Sequence, residues 1–171
     1  MKLSLAISPS ARIANSPNYK WWVYVAVAVG VFLTVMDQTG VNIALPRIAE
    51  HFDVDIPTVQ WVTLGYVLST SVMLMPMGRL ADMLGRKRVF ISGFLIFMGA
   101  AAVGGLAQGY LALIGAKLAQ GVGAAAIQAN GMAMITEAFP ARERGKALGM
   151  YMTIIGTGSI SGPVIGGLLV S

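Results

Sequence analysis

Beyond the first twenty residues the chain is a succession of long apolar blocks broken by brief polar interruptions. The blocks fall at about residues 21–45, 58–81, 89–107, 111–138 and 147–171. Each is close to or above the roughly 20 residues that a helix needs to cross a hydrocarbon core of ~30 Å. Tyr19, Trp21, Trp22 and Tyr24 cluster where the first block begins, as aromatic side chains do at a membrane surface. The pattern predicts an all-α, polytopic membrane helix bundle with five transmembrane helices. Residues 1–20 carry Lys2, Arg12, Lys20, Pro9 and Pro17 and read as a mostly disordered cytoplasmic tail. Their one apolar stretch, residues 3–7, is too short for a signal-peptide core.

The interruptions alternate in charge. Residues 46–57 hold Arg47, Glu50, His51, Asp53 and Asp55 and are net acidic, whereas residues 78–88 and the segment with Arg142, Glu143, Arg144 and Lys146 are basic. Gln108, Gly109 and Tyr110 form a tight uncharged turn. Lys2, Arg12, Lys20, Arg79, Arg86, Lys87, Arg88, Arg142, Arg144 and Lys146 thus fall on or near one side, which is ten of the twelve bases; Arg47 lies on the other side and Lys117 within a span. Short loops rich in Lys and Arg stay cytoplasmic, so the amino terminus is expected inside and Ser171 outside, in a plasma (inner) membrane protein.

Composition agrees: 56% of the residues are hydrophobic and 11% charged, with a mean hydropathy of +0.73. The net charge of +5 is accounted for by this topology and does not point to nucleic acid. Cysteine is absent, which excludes disulfides, thiolate metal sites and a cysteine nucleophile. His51 has only loop acids around it, and no nucleotide-binding loop, metal-ligand spacing or nucleophile motif occurs. An enzyme is therefore not expected, and no metal or cofactor is implied; the immediate partner is the lipid bilayer.

Four short motifs sharpen the picture. Gly78-Arg79-Leu80-Ala81-Asp82-Met83-Leu84-Gly85-Arg86-Lys87-Arg88 joins two apolar blocks by a turn too short to be a domain; Gly78 is expected to admit a neighbouring helix and Gly85 to let the chain reverse. This segment resembles the signature between helices two and three of the major facilitator superfamily of secondary transporters. Asp37-Gln38-Thr39-Gly40-Val41-Asn42-Ile43-Ala44-Leu45-Pro46 is similar to a signature of its fourteen-helix drug:proton antiporters. Gly158-Ser159-Ile160-Ser161-Gly162-Pro163-Val164-Ile165-Gly166-Gly167 is similar to the antiporter motif, with Gly158, Gly162 and Gly166 making a bare groove and Pro163 permitting a bend. Lys117-Leu118-Ala119-Gln120-Gly121-Val122-Gly123-Ala124-Ala125 resembles a further family motif, but lysine stands where arginine is usual.

The resemblance implies the amino-terminal part of a proton-coupled multidrug exporter: five helices of an incomplete six-helix half, with protons and a small lipophilic or cationic substrate as partners. The missing second half, or another membrane subunit, would supply the opposing wall. The alternative is a transporter-derived accessory or scaffold subunit of a larger membrane complex, with no transport of its own. The resemblance also implies an inner gate in which Arg86 pairs with Glu137 while Asp82 faces the missing half.

Depth adds an expectation that rests on the residues alone. Asp37 is sixteen residues past Trp21, ~24 Å from the inner boundary at 1.5 Å per residue. Lys117 is six residues past Leu111 on a span entering from outside, about 21 Å from the inner boundary. Thr34, Gln38 and Asn42 beside Asp37, and Gln120, Ala124 and Gln128 beside Lys117, follow at helical spacing as semi-polar stripes. Asp37 and Lys117 are thus expected at one level as an ion pair, or with the acid neutralised in a wet cavity. In a working antiporter Asp37 would bind proton and cationic substrate in turn, with Lys117, Gln38, Asn42 and Gln120 around it.

Overall fold

The computed structural model describes residues 18–170; residues 1–17, the bulk of the expected tail, and Ser171 lie outside the described residues. The order is α1 (Tyr19–Phe52), α2 (Ile56–Val59), α3 (Trp61–Leu84), α4 (Arg86–Gly105), α5 (Tyr110–Ala138) and α6 (Arg144–Val170), with no strand among the described residues. Five of these segments, α2 and α3 counting as one, are long and apolar enough to cross a membrane. A membrane accepts such a chain because a helix satisfies its backbone polar groups internally.

Several boundaries differ from the sequence expectation: α3 runs on to Leu84 and α6 begins at Arg144, which takes Arg144 and Lys146 out of the expected loop, and two further differences have a distinct local cause. The first helix does not stop at Pro46 but runs on to Phe52 and ends at Asp53, in the left-handed region at φ 51°, whose N–H reaches the carbonyls of Ala49 and Glu50. Pro46 removes one helix hydrogen bond, yet Ile48, Ala49 and Phe52 pack with Val59, Val62 and Leu113, and that apolar cluster holds the extra turns. The basic triplet, in turn, is not a loop: Arg86, Lys87 and Arg88 form the first turn of α4, and Gly85 alone separates α3 from α4. Gly85 has φ 95° and ψ 129°, where a side chain is disfavoured, so the reversal uses its lack of a Cβ.

The most buried helix, α5, lies between α3 and α4 and also touches α1 and α6. Its small residues explain this, because in lipid helices associate by close packing rather than by escape from water. At Gly123 a Cβ would sit 2.6 Å from the carbonyl oxygen of Gly93 and from the amide nitrogen of Phe97, so only glycine lets α4 come this near. The second tight contact joins α6 to α1. At Gly162 a Cβ would fall 2.6 Å from the Met36 carbonyl oxygen, and at Gly166 one would fall 2.9 Å from that of Gly40. The groove expected along Gly158, Gly162 and Gly166 is therefore filled by α1, and Pro163 lies inside α6. Gly167 faces open space, and so does Gly78: nothing lies within 4 Å of its Cβ position. The close approach expected at Gly78 is not made within this bundle, because α3 turns Gly78 away from the helices it packs on.

A charged pair between the helices and a charge cluster at one end

Asp37 on α1 and Lys117 on α5 meet. Lys117 Nζ donates to Asp37 Oδ2 at 2.9 Å and to Oδ1 at 3.2 Å. The agreement of depths follows from helix geometry, and the packing of α1 on α5 turns both side chains toward each other. Lys117 is 8% exposed, a position an ammonium tolerates only with a counter-charge. Asp37, Gln38, Val41, Val62, Thr63, Tyr66 and Lys117 enclose a gap of about 10 Å³, room for about one water.

The other residues expected at this site divide. Gln38 lines the gap. Asn42 is turned outward on an exposed surface, where its Oδ1 accepts from the Thr63 hydroxyl at 3.2 Å. Gln120 is buried but does not line the gap, and its Nε2 has no hydrogen-bond partner among the described residues. Thr34 is buried and spends its hydroxyl on the Val31 carbonyl within its own helix. The residues sequence reasoning missed are Thr63 and Tyr66. Tyr66 lies eight residues past Thr58, ~12 Å into its span and within a turn of the depth of Lys117; a tyrosine so far from the interfacial belt was the available signal.

At the end where α1 and α6 begin, Arg86 bridges two acids. Its Nη1 lies 3.2 Å from Glu137 Oε1, and its Nη2 lies 3.4 Å from Asp82 Oδ1. The Arg86–Glu137 pairing appears as expected, but Asp82 is not left free: one helical turn before Arg86 across the Gly85 reversal, it lies within reach of the same guanidinium. Three cations in the first turn of α4 oppose the helix dipole, and these two carboxylates offset that. Lys87 and Arg88 form no ion pair among the described residues, and line with Tyr19, Asp82, Arg86 and Glu137 a crevice of about 650 Å³. A second link was not expected: Lys20 pairs with Glu143 at 2.5 Å and lies 5.6 Å from the Phe139 ring centre, against which Trp21 and Tyr24 stand edge-on.

With this geometry in view, comparison with known proteins is decisive. Residues 27–171 match the Major Facilitator Superfamily. The chain is 36% identical over 150 residues to "Riboflavin transporter RibZ" of Clostridioides difficile (strain 630), covering 88% of this chain and 33% of that protein. It is 38% identical over 147 residues to "Multidrug resistance protein Stp" of Mycobacterium tuberculosis (strain CDC 1551 / Oshkosh), covering 85% and 27%. It is 32% identical over 166 residues to "Tetracenomycin C resistance and export protein" of Streptomyces glaucescens, covering 97% and 30%. A solved bacterial homolog of the human lysosomal transporter Spinster, inward-facing and occupied, shares the fold with a TM-score of 0.80 at 23% identity, over 91% of this chain and 34% of that one. The chain thus spans about a third of the length of the relatives it matches. Five membrane-length helices with a charged pair between two of them define a multi-pass membrane chain, and the relatives it matches are named as transporters or as resistance and export proteins. The chain belongs to the Major Facilitator Superfamily.

Proposed function

We propose that this chain forms the amino-terminal part of a proton-coupled drug exporter, working by antiport in the plasma (inner) membrane with its amino terminus on the cytoplasmic side. The observation that carries this reading is the Asp37–Lys117 pair held between α1 and α5. A carboxylate that deep, paired with a cation and beside a gap the size of one water, is a group that can take up a proton and give up its partner, the exchange an antiporter requires. Drug-resistance exporters among the relatives support the substrate class, a small lipophilic or cationic molecule. The gathering of Lys20, Arg86, Lys87, Arg88, Arg142, Arg144 and Lys146 where α1, α4 and α6 begin supports the orientation. Asp37 is assigned the alternating proton and substrate role, and the Arg86–Glu137–Asp82 cluster the cytoplasmic gate. The second wall of the substrate path comes from the half that this chain does not span.

The test is efflux from everted vesicles containing a full-length transporter built on this segment. Asp37→Asn should abolish proton-driven efflux while leaving membrane insertion intact. Undiminished pH-dependent transport by that variant would end the assignment.

A further inference from the structure

The ion pair in the middle of the bundle has one neighbour not yet given a task. Tyr66 on α3 is 3% exposed, and the Lys117 ammonium lies over its ring at 5.9 Å from the centre. Its buried hydroxyl has the Thr70 side chain nearby and feels the charge of Asp37 but makes no hydrogen bond of ordinary geometry; what Tyr66 presents to the Lys117 ammonium is the face of its ring. The charged and titratable groups gathered here are Asp37 from α1, Lys117 from α5 and Tyr66 itself from α3. Every other acid of the chain lies toward a helix end: Glu50, Asp53 and Asp55 at one side, Asp82, Glu137 and Glu143 at the other.

When Asp37 takes up a proton, Lys117 loses its counter-charge with no second carboxylate in reach. An arginine would stay charged regardless, but a desolvated lysine can release its proton. If Lys117 released one as Asp37 gained one, the site would take up no net proton. An aromatic ring face attracts an ammonium without carrying charge, at separations up to ≈ 6 Å, and so works whichever state Asp37 is in. We propose that Tyr66 is a positioning residue for Lys117: its ring receives the ammonium, still protonated, in the part of the cycle when Asp37 is neutral. The balance is then one proton gained by Asp37, none lost by Lys117, and a net change of one positive charge at the site. The proposal rests on the proton-coupled reading above and adds to it the residue that makes a lysine serviceable at this position.

Ring-current shifts test it without transport. The chain has five lysines, Lys2, Lys20, Lys87, Lys117 and Lys146, so the ε-methylene signals of lysine-labelled protein in lipid nanodiscs are few enough to assign. Asp37→Asn imitates the protonated acid and should move the Lys117 ε-protons upfield as the ammonium settles on the ring. The shift should persist with Tyr66→Phe added, since the ring and not the hydroxyl receives the ammonium, and vanish with Tyr66→Leu added. The Lys20 signal, from a side chain paired with Glu143 and beside the Phe139 ring, reports whether each variant is folded, and Tyr66→Met replaces Tyr66→Leu if that variant is not. No upfield shift in Asp37→Asn, or the same shift without an aromatic ring at position 66, overturns the proposal. Efflux lost in Asp37→Asn with no ring-current shift would reject the role of Tyr66 alone and leave the coupling role of Asp37 standing.

Discussion

Neutralising either member of the Asp37–Lys117 pair should destabilise the bundle more than neutralising both. The two charges are 2.9 Å apart, with the lysine side chain 11% exposed and the aspartate side chain 25% exposed. At that separation Coulomb attraction comes to about 6 kcal/mol for an effective dielectric of ~20, but desolvating both groups cancels much of it. Stranding one charge of a fully buried pair costs about 3–5 kcal/mol. Here the openness of Asp37 and the ring beside Lys117 each relieve the stranded partner, which brings Asp37→Asn and Lys117→Met to about 2 kcal/mol apiece. The double variant, with no charge left to strand, should lose about 1 kcal/mol, giving a coupling of about 3 kcal/mol. The assay is denaturant-induced unfolding of the four proteins in mixed micelles at neutral pH, at low and at high salt. Most of the coupling should survive high salt, because Lys117 is buried and mobile ions screen a partly buried pair much less than an exposed one. Single effects that sum to the double effect within about 0.5 kcal/mol would refute the reasoning.

The Arg86–Glu137 pair should behave oppositely: its side chains are 33% and 62% exposed, so Arg86→Ala and Glu137→Ala should couple by only about 0–1 kcal/mol, and high salt should erase it. A large coupling indifferent to salt in the same unfolding assay would contradict this. Gly162→Val should force α6 away from α1 and cost about 1–3 kcal/mol in thermal unfolding, whereas Gly167→Ala, which faces open space, should stay within about 0.5 kcal/mol; equal effects would mean that the glycine stripe does not set the helix contact. For orientation, the absence of native cysteine allows single cysteines at Asp53 and Met83 to be probed with an impermeant thiol reagent on intact cells. Labelling is expected at position 53 and not at 83, and the reverse would invert the topology.

Hydropathy alone was enough for the five helices, because a bilayer leaves a long apolar segment no other way to satisfy its backbone. The meeting of Asp37 with Lys117 was legible for a related reason: a helix advances a fixed 1.5 Å per residue, so counting from the membrane surface yields depth. Arg86 with Glu137 came from family resemblance, since two residues that far apart in sequence and both at helix ends share no periodic signal.

Rotation of each helix about its own axis was not legible. Lipid is as apolar as Leu or Val, so the side of a helix that packs on protein need not differ in hydrophobicity from the side that meets lipid. Only the packed bundle decided that Asn42 faces outward while Gln120 is buried, that Gly78 meets nothing while Gly123 and Gly162 sit against neighbouring backbone, and that Tyr66 stands against the ion pair. The end of α1 was decided the same way. Pro46 marks a stop by its missing N–H, but side-chain contacts made by Ala49 and Phe52 with residues distant in sequence outweigh one lost hydrogen bond, and such contacts exist only once the helices have assembled.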